Sequence, residues 1–413
     1  MDSAREFLSV KRSLQIFLPF SFGYFLSYLF RSVNAVISPN LITEFNLDAG
    51  QLGLLTSVYF LTFASLQIPI GILLDRYGPR RVNAVLLTVA ALGAFIFSRA
   101  DTFSSLLLGR ALVGFGVAAC LMSSIKVFSL WFPKENLPSM TGRIMFVGGL
   151  GAISATAPVD FALGFIGWRE IFLALFVVTI IVSLVVFFVV PEKKELTDVG
   201  SLGEQFRGAM EIYRAPVFWR IALGTTLFQA FNMSVQGLWA GPWLSDVAGL
   251  ERASVALHLL TLGVATMLGF LFWGTFATHM NRRGVEPMVV LIWATVAYMF
   301  LQLLLVFSLV QFSWVIWIGW GLLGTSGSLA FSIISHSFPI HLTGRATTAI
   351  NLLVFVTAFL SQWIFGVILN QWASDGSGYA PDGYSWAFGF FLVLQVFGFL
   401  WMVVGYHRSK VTR

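Results

Sequence analysis

The sequence predicts an all-α membrane protein, with twelve transmembrane helices in two pseudo-symmetric six-helix bundles. Three observations predict this fold. The 413 residues are 57% hydrophobic and 11% charged, where an ordinary soluble domain carries roughly 25% charged residues. Apolar stretches of about 20 residues, the length needed to cross a bilayer, recur along the chain. Finally, the two halves share an offset. Pro39 matches Pro242 and Gly71 matches Gly274, each 203 apart, while Thr141-Gly142-Arg143 matches Thr343-Gly344-Arg345, 202 apart. An offset held this closely marks an internal repeat.

In order, the apolar spans fall near 14–37, 50–73, 82–98, 104–130, 140–164, 169–190, 217–240, 254–276, 287–309, 312–335, 346–369 and 384–406. The longest polar stretch, Pro191 to Arg214, divides the chain into an N-terminal bundle (1–190), a linker (191–216) and a C-terminal bundle (217–413). The first apolar run is too long for a signal-peptide core and ends in Ser38-Pro39 rather than a small-x-small site, so it is expected to stay as the first helix. Nineteen Lys and Arg fall in the segments that share a side with the N-terminus and three on the other side. Both termini are therefore expected in the cytoplasm, with the chain multi-pass in a bacterial-type inner membrane. The formal charge of +6 is spread over these short loops, which is a topology signal and gives no reason to expect a nucleic-acid partner. The lone Cys120 forms neither a disulfide framework nor a metal cluster.

Span one carries Arg31 well inside its length. A guanidinium stays charged, so it must face protein, water or an anion rather than lipid. Its neighbours one helical turn away, Ser27, Tyr28, Asn34 and Ala35, make a half-polar face suited to a cavity wall. The alternative is an ion pair with an acid on another helix, and Asp160, near the outer end of span five, is the one clear intramembrane acid.

After span two comes Gly71-Ile72-Leu73-Leu74-Asp75-Arg76-Tyr77-Gly78-Pro79-Arg80-Arg81, a tight turn in which Asp75 sits among three guanidiniums. Span four holds Arg110-Ala111-Leu112-Val113-Gly114-Phe115-Gly116. Its glycines permit close helix approach, and Arg110 is a second buried cation. These two elements resemble the loop-2–3 signature G-x-L-x-D-R-x-G-x-R-R and the R-x-x-x-G-x-G element of the major facilitator superfamily. The resemblance covers essentially the whole chain and implies a rocker-switch transporter, with Gly71, Asp75, Arg76, Gly78, Arg80 and Arg81 latching the bundles. For Arg110 it implies either a link to proton movement or an inter-helix network. The equivalent loop of the second half has Thr278 where the acid should be, which leaves the latch mainly to the first half. Gly148 to Pro158 is Gly-rich but lacks the Gly-Pro pair of export families.

A narrower resemblance is to the organic anion:cation symporter and organophosphate branches, carried by Tyr28, Arg31, Pro39-Asn40-Leu41, and Lys126 ahead of Trp131-Phe132-Pro133. It implies that Arg31, assisted by Lys126, holds the anionic group of a substrate. Phe30 and Pro133 stand where proton-using members have acids, and Ser234 stands opposite Arg31 in the repeat.

Polar stripes at helical spacing add Gln229, Asn232, Gln236 and Trp239 in span seven. Span ten adds Thr325, Ser328, Ser332 and His336, span eleven Asn351, Phe355 and Gln362, and span two Tyr59, Phe63 and Gln67, beside Asn34 in span one. Each could instead make an inter-helix hydrogen bond. His258, His336 and Asp160 are candidates for a coupling-proton site. No nucleotide-binding loop, nucleophile-base pair or metal-ligand cluster is present, so neither an enzyme nor a cofactor is expected. The expectation is a secondary transporter, monomeric in the lipid bilayer, that moves a small organic anion, expected to be a carboxylate, by alternating access with a proton or sodium as coupling ion. An exporter of amphipathic or drug-like compounds and a transporter-fold ligand sensor are the competing expectations.

Overall fold

The computed structural model describes residues 10–133, 136–192, 202–338, 342–372 and 378–411. They form helices and connecting turns, with no strand among the described residues. Ten helices are each long and apolar enough to cross a membrane, and the pair Ala49–Ser65 and Ile70–Tyr77, bent by 55°, makes another crossing. The twelfth is the unbroken run of Pro216–Ser234, Val235–Trp239 and Ala240–Asp246, whose Gln229, Asn232 and Gln236 lower its apolarity. Residues 193–201 of the 191–216 linker lie outside the described residues, and its helix Leu202–Arg214 is described.

Several crossings that the sequence presents as continuous are broken, for identifiable reasons. The first consists of Val10–Ser32 and Asn34–Phe45. In the second, Pro69 has no N–H to give to the Ser65 carbonyl, and the helix bends there. In the seventh, Pro242 withholds a donor from Leu238, and the five-residue π turn Val235–Trp239 lies directly before that proline's helix. The fifth, Leu137–Ser154, restarts as Ala157–Leu163 with Pro158 in the first turn, where a missing N–H costs nothing.

The described ends, at Val10 and Val411, and the linker helix Leu202–Arg214 are separated by even numbers of crossings and so lie at one face of the bundle, here the terminal face. The second and eleventh crossings pack along each other, as do the fifth and eighth, and these pairs join the two bundles. Toward the opposite, far face the approach is close. A Cβ at Gly53 would sit 2.7 Å from Gln362 O, and one at Gly366 would run into Ala49 O. Asp48 caps Ala49–Ser65 by accepting from Gln51 N at 2.8 Å, and it also accepts from Asn370 Nδ2 at 2.8 Å. The same carboxylate thus starts one bundle's helix and ties it to the other bundle.

Candidate substrate site

The break in the first crossing positions the site. A helix end leaves backbone carbonyls without partners, and here two of them are met by a side chain from the fourth crossing. Arg110, 1% exposed, donates through Nη1 to Phe30 O at 2.5 Å and through Nη2 to Arg31 O at 3.4 Å. Tyr59 donates its hydroxyl to Ser27 O at 3.1 Å, and its ring centroid lies 4.8 Å from the Arg110 guanidinium carbon. A cation at a helix C-terminus also opposes the dipole there. Of the two readings open for Arg110, the geometry is that of an inter-helix network.

With its carbonyl held from behind, Arg31 directs its guanidinium over the ring of Tyr28, 3.9 Å from the centroid. Tyr28 packs edge-on against Tyr24, whose hydroxyl contacts Met145 Sδ at 3.4 Å. Among the described residues no carboxylate pairs with Arg31.

Arg31 stands where two internal spaces join. A cavity of about 530 Å³ reaches Thr141, Gly142 and Thr347 near the terminal face, and a neck of about 60 Å³ follows it. Tyr28, Arg31, Met145, Met233 and Met267 line both. Beyond the neck, Ala35 and Leu259 lead into a vestibule of about 960 Å³ at the far face. The three spaces follow one another along the interface between the bundles.

The residues expected at the site divide into two groups. Tyr28, Arg31, Gln229 and Asn351 line the 530 Å³ cavity, and Gln236 lines the neck, donating to Asn232 Oδ1 at 3.4 Å and Thr266 Oγ1 at 3.1 Å. Asn232 is buried behind it against Gly324. Asn34, Trp239 and Gln362 are buried away from these spaces: Asn34 Nδ2 donates to Thr56 Oγ1 at 3.2 Å, and Trp239 Nε1 donates to Gln362 O at 3.1 Å. Lys126, expected beside the substrate, instead pairs with Asp75 at 2.9 Å. It lies one turn from the end of Cys120–Trp131, where a long side chain reaches toward the terminal face.

The candidate proton sites also lie away from Arg31. His258 is stacked on Trp314 with centroids 3.6 Å apart, and its nitrogens face Ser254 O at 2.8 Å and Ser313 Oγ at 3.3 Å. Asp160 accepts from Arg252 Nε at 2.6 Å across the two bundles in the far vestibule. The side chain of His336 lies outside the described residues.

Residue periodicity missed Met145, Met233, Met267 and Phe270, because an apolar side chain facing a cavity has the same pattern as one facing the core. Met233 alone had a signal, since it continues the Gln229 and Gln236 stripe at helical spacing.

The profile of the Major Facilitator Superfamily matches residues 20–361. The chain belongs to the Major Facilitator Superfamily. It is therefore a transport protein and not an enzyme. Similar chains include the nitrate/nitrite transporter of Picosynechococcus sp. (strain PCC 7002), 34% identical over 34% of this chain and 27% of that protein. The hexuronate transporter of Bacillus subtilis is 24% identical over 62% of this chain and 63% of that protein. The chain thus spans less than two thirds of either relative. The fold is that of a bacterial homologue of the human lysosomal transporter Spinster in its inward-facing and occupied conformation, at 18% identity, with a TM-score of 0.77 over 97% of this chain and 98% of that one. The D-xylose–proton symporter gives 0.72 at 15% identity, over 95% and 97%.

Within the superfamily fold, the expected latch residues make contacts inside their own bundle and with the start of the linker. Gly78, at φ 81°, turns the chain into Pro79–Ser98. Arg80 Nη2 and Arg81 Nη2 reach Glu192 at 2.9 and 3.0 Å, and Arg76 lies 5.5 Å from the ring of Tyr77. Gly71 and Asp75 lie on Ile70–Tyr77, the short helix leading into this turn. Gly114 and Gly116 pack where a Cβ would strike Tyr59 O and Ala90 N, so they hold the fourth crossing close to the second and third.

Proposed function

We propose that this superfamily member is a secondary transporter that moves a small organic anion, a carboxylate, across the inner membrane with both termini in the cytoplasm. The observation that carries the reading is Arg31, a cation at the junction of two cavities with no carboxylate partner among the described residues. A charge taken out of water needs a counter-charge, and an anionic substrate supplies one. Names of relatives support the same class, since nitrate, nitrite and hexuronate are anions. Alternating access would expose Arg31 first to one cavity and then to the other, with the tight second-eleventh packing as the contact that parts. Cationic exporters need an acid in the cavity, but Asp160 is already paired with Arg252, which favours the anion.

The test is uptake into proteoliposomes. Arg31→Gln is expected to abolish anion uptake while the protein still folds, and Arg31→Lys to keep charge but lose the planar fork and most of the rate. Unchanged uptake by Arg31→Gln would overturn the reading.

A further inference from the structure

The wall around Arg31 specifies more than a negative charge. Among the described residues lining the 530 Å³ cavity, Arg31 is the one charged side chain, so a single negative charge is matched and a second is not. Several of the polar groups around it are committed to the protein itself, while Gln229 Oε1 is buried without a partner among the described residues. Asn351 Nδ2 donates to Gln67 Oε1 at 2.7 Å across the two bundles. The hydroxyls of Tyr59, Thr141 and Thr347 donate to Ser27 O, Leu137 O and Thr343 O at 3.1, 2.9 and 2.9 Å.

A substrate bearing many hydroxyls would find few free partners there, and each unmatched hydroxyl lowers affinity by about tenfold or more. The remaining wall is apolar. Phe63 and Phe355, from opposite bundles, stack at 4.3 Å. Met145, Met233 and Met267 ring the passage from cavity to neck, and unbranched thioethers adapt to apolar groups of varied shape. The volume is far larger than an inorganic anion needs and falls in the range of small-molecule sites, roughly 300–1,000 Å³.

We infer that the substrate is a monocarboxylate with an apolar body, aryl or alkyl, whose carboxylate meets Arg31 while its body lies among Phe63, Phe355 and the three methionines. This rests on the anion reading and narrows it, setting the chain apart from carriers of polyhydroxylated sugar acids and of dianions.

The test uses the purified full-length protein and thermal shift, with competition of proteoliposome uptake as a second measurement. The probes are 3-phenylpropanoate, octanoate, glucuronate, succinate and the neutral 3-phenylpropanol. The first two should stabilise the protein and compete, glucuronate and succinate should do neither at tenfold higher concentration, and the alcohol should bind at least about tenfold more weakly than the acid, as expected for loss of one charge-assisted pair. Met267→Ser should weaken 3-phenylpropanoate by about tenfold. Tighter binding of glucuronate or succinate than of 3-phenylpropanoate overturns the apolar-body inference and leaves the anion reading standing. Alcohol and acid binding equally well overturns the anion reading itself, and no response to any carboxylate overturns both.

Discussion

Arg110 donates to the carbonyl of Phe30 at 2.5 Å, so a buried cation of the fourth crossing ends the helix on which Arg31 stands. Arg110→Gln shortens the reach and removes the charge. The variant is expected to lose roughly 1.5–3 kcal/mol, the value of a hydrogen bond to a charged group. Thermal unfolding in detergent should show a lower midpoint, and Arg31-dependent uptake should fall with it.

The pair of Lys126 and Asp75 is partly exposed on both sides, at 26% and 35%. Such pairs contribute about 0.2–1 kcal/mol. Lys126→Gln should therefore leave substrate KM unchanged. A KM rise matching that of an Arg31 variant would return Lys126 to the binding site.

Gly366 meets Ala49 O closely enough that a Cβ has no room, because both neighbours are backbone. Gly366→Ala is expected to part the second and eleventh crossings at the far face. The readout is maleimide labelling of Ser245→Cys, which lines the far vestibule, with the buried Cys120 as the background thiol. Labelling should speed up in the Gly366→Ala background, and an unchanged rate would mean the packing adjusts.

Tyr213, on the linker helix, donates to Ala349 O at 2.9 Å, and burial raises its pKa to about 12. A raised acid pKa means that the folded state holds its proton longer than the unfolded one. The stability it contributes is complete below about pH 10, the ordinary tyrosine value, and is lost as pH climbs through 12. Unfolding midpoints should fall over that interval, and Tyr213→Phe should flatten this part of the profile. Between pH 6 and 9 the two proteins should have parallel profiles.

Legibility in the sequence followed the range of each interaction. Arg31, Tyr28, Gln229, Gln236 and Asn351 could be picked out because a polar group in an apolar span must face something other than lipid, a constraint that acts residue by residue. The same constraint selected Asn34, Trp239 and Gln362, which face neighbouring helices. Lys126 was grouped with Arg31 by its distance from a motif, while its direction depends on where Cys120–Trp131 ends and on Asp75 two crossings away in the chain. Met145 and Met267 carried no polar signal at all, and Met233 only its place in the Gln229 and Gln236 stripe.

The sequence by itself determined that the protein crosses a membrane repeatedly, that its two halves repeat, and that its spans hold cations with few acids to match. Apolar length, repeat offset and charge count are additive along the chain, so they need no coordinates. Tertiary structure decided which cation faces the cavities. Proline breaks and close glycine contacts set how each helix segment is rotated, and this rotation turns Arg110 to backbone carbonyls and Lys126 to Asp75. Arg31 is left facing the space between the bundles.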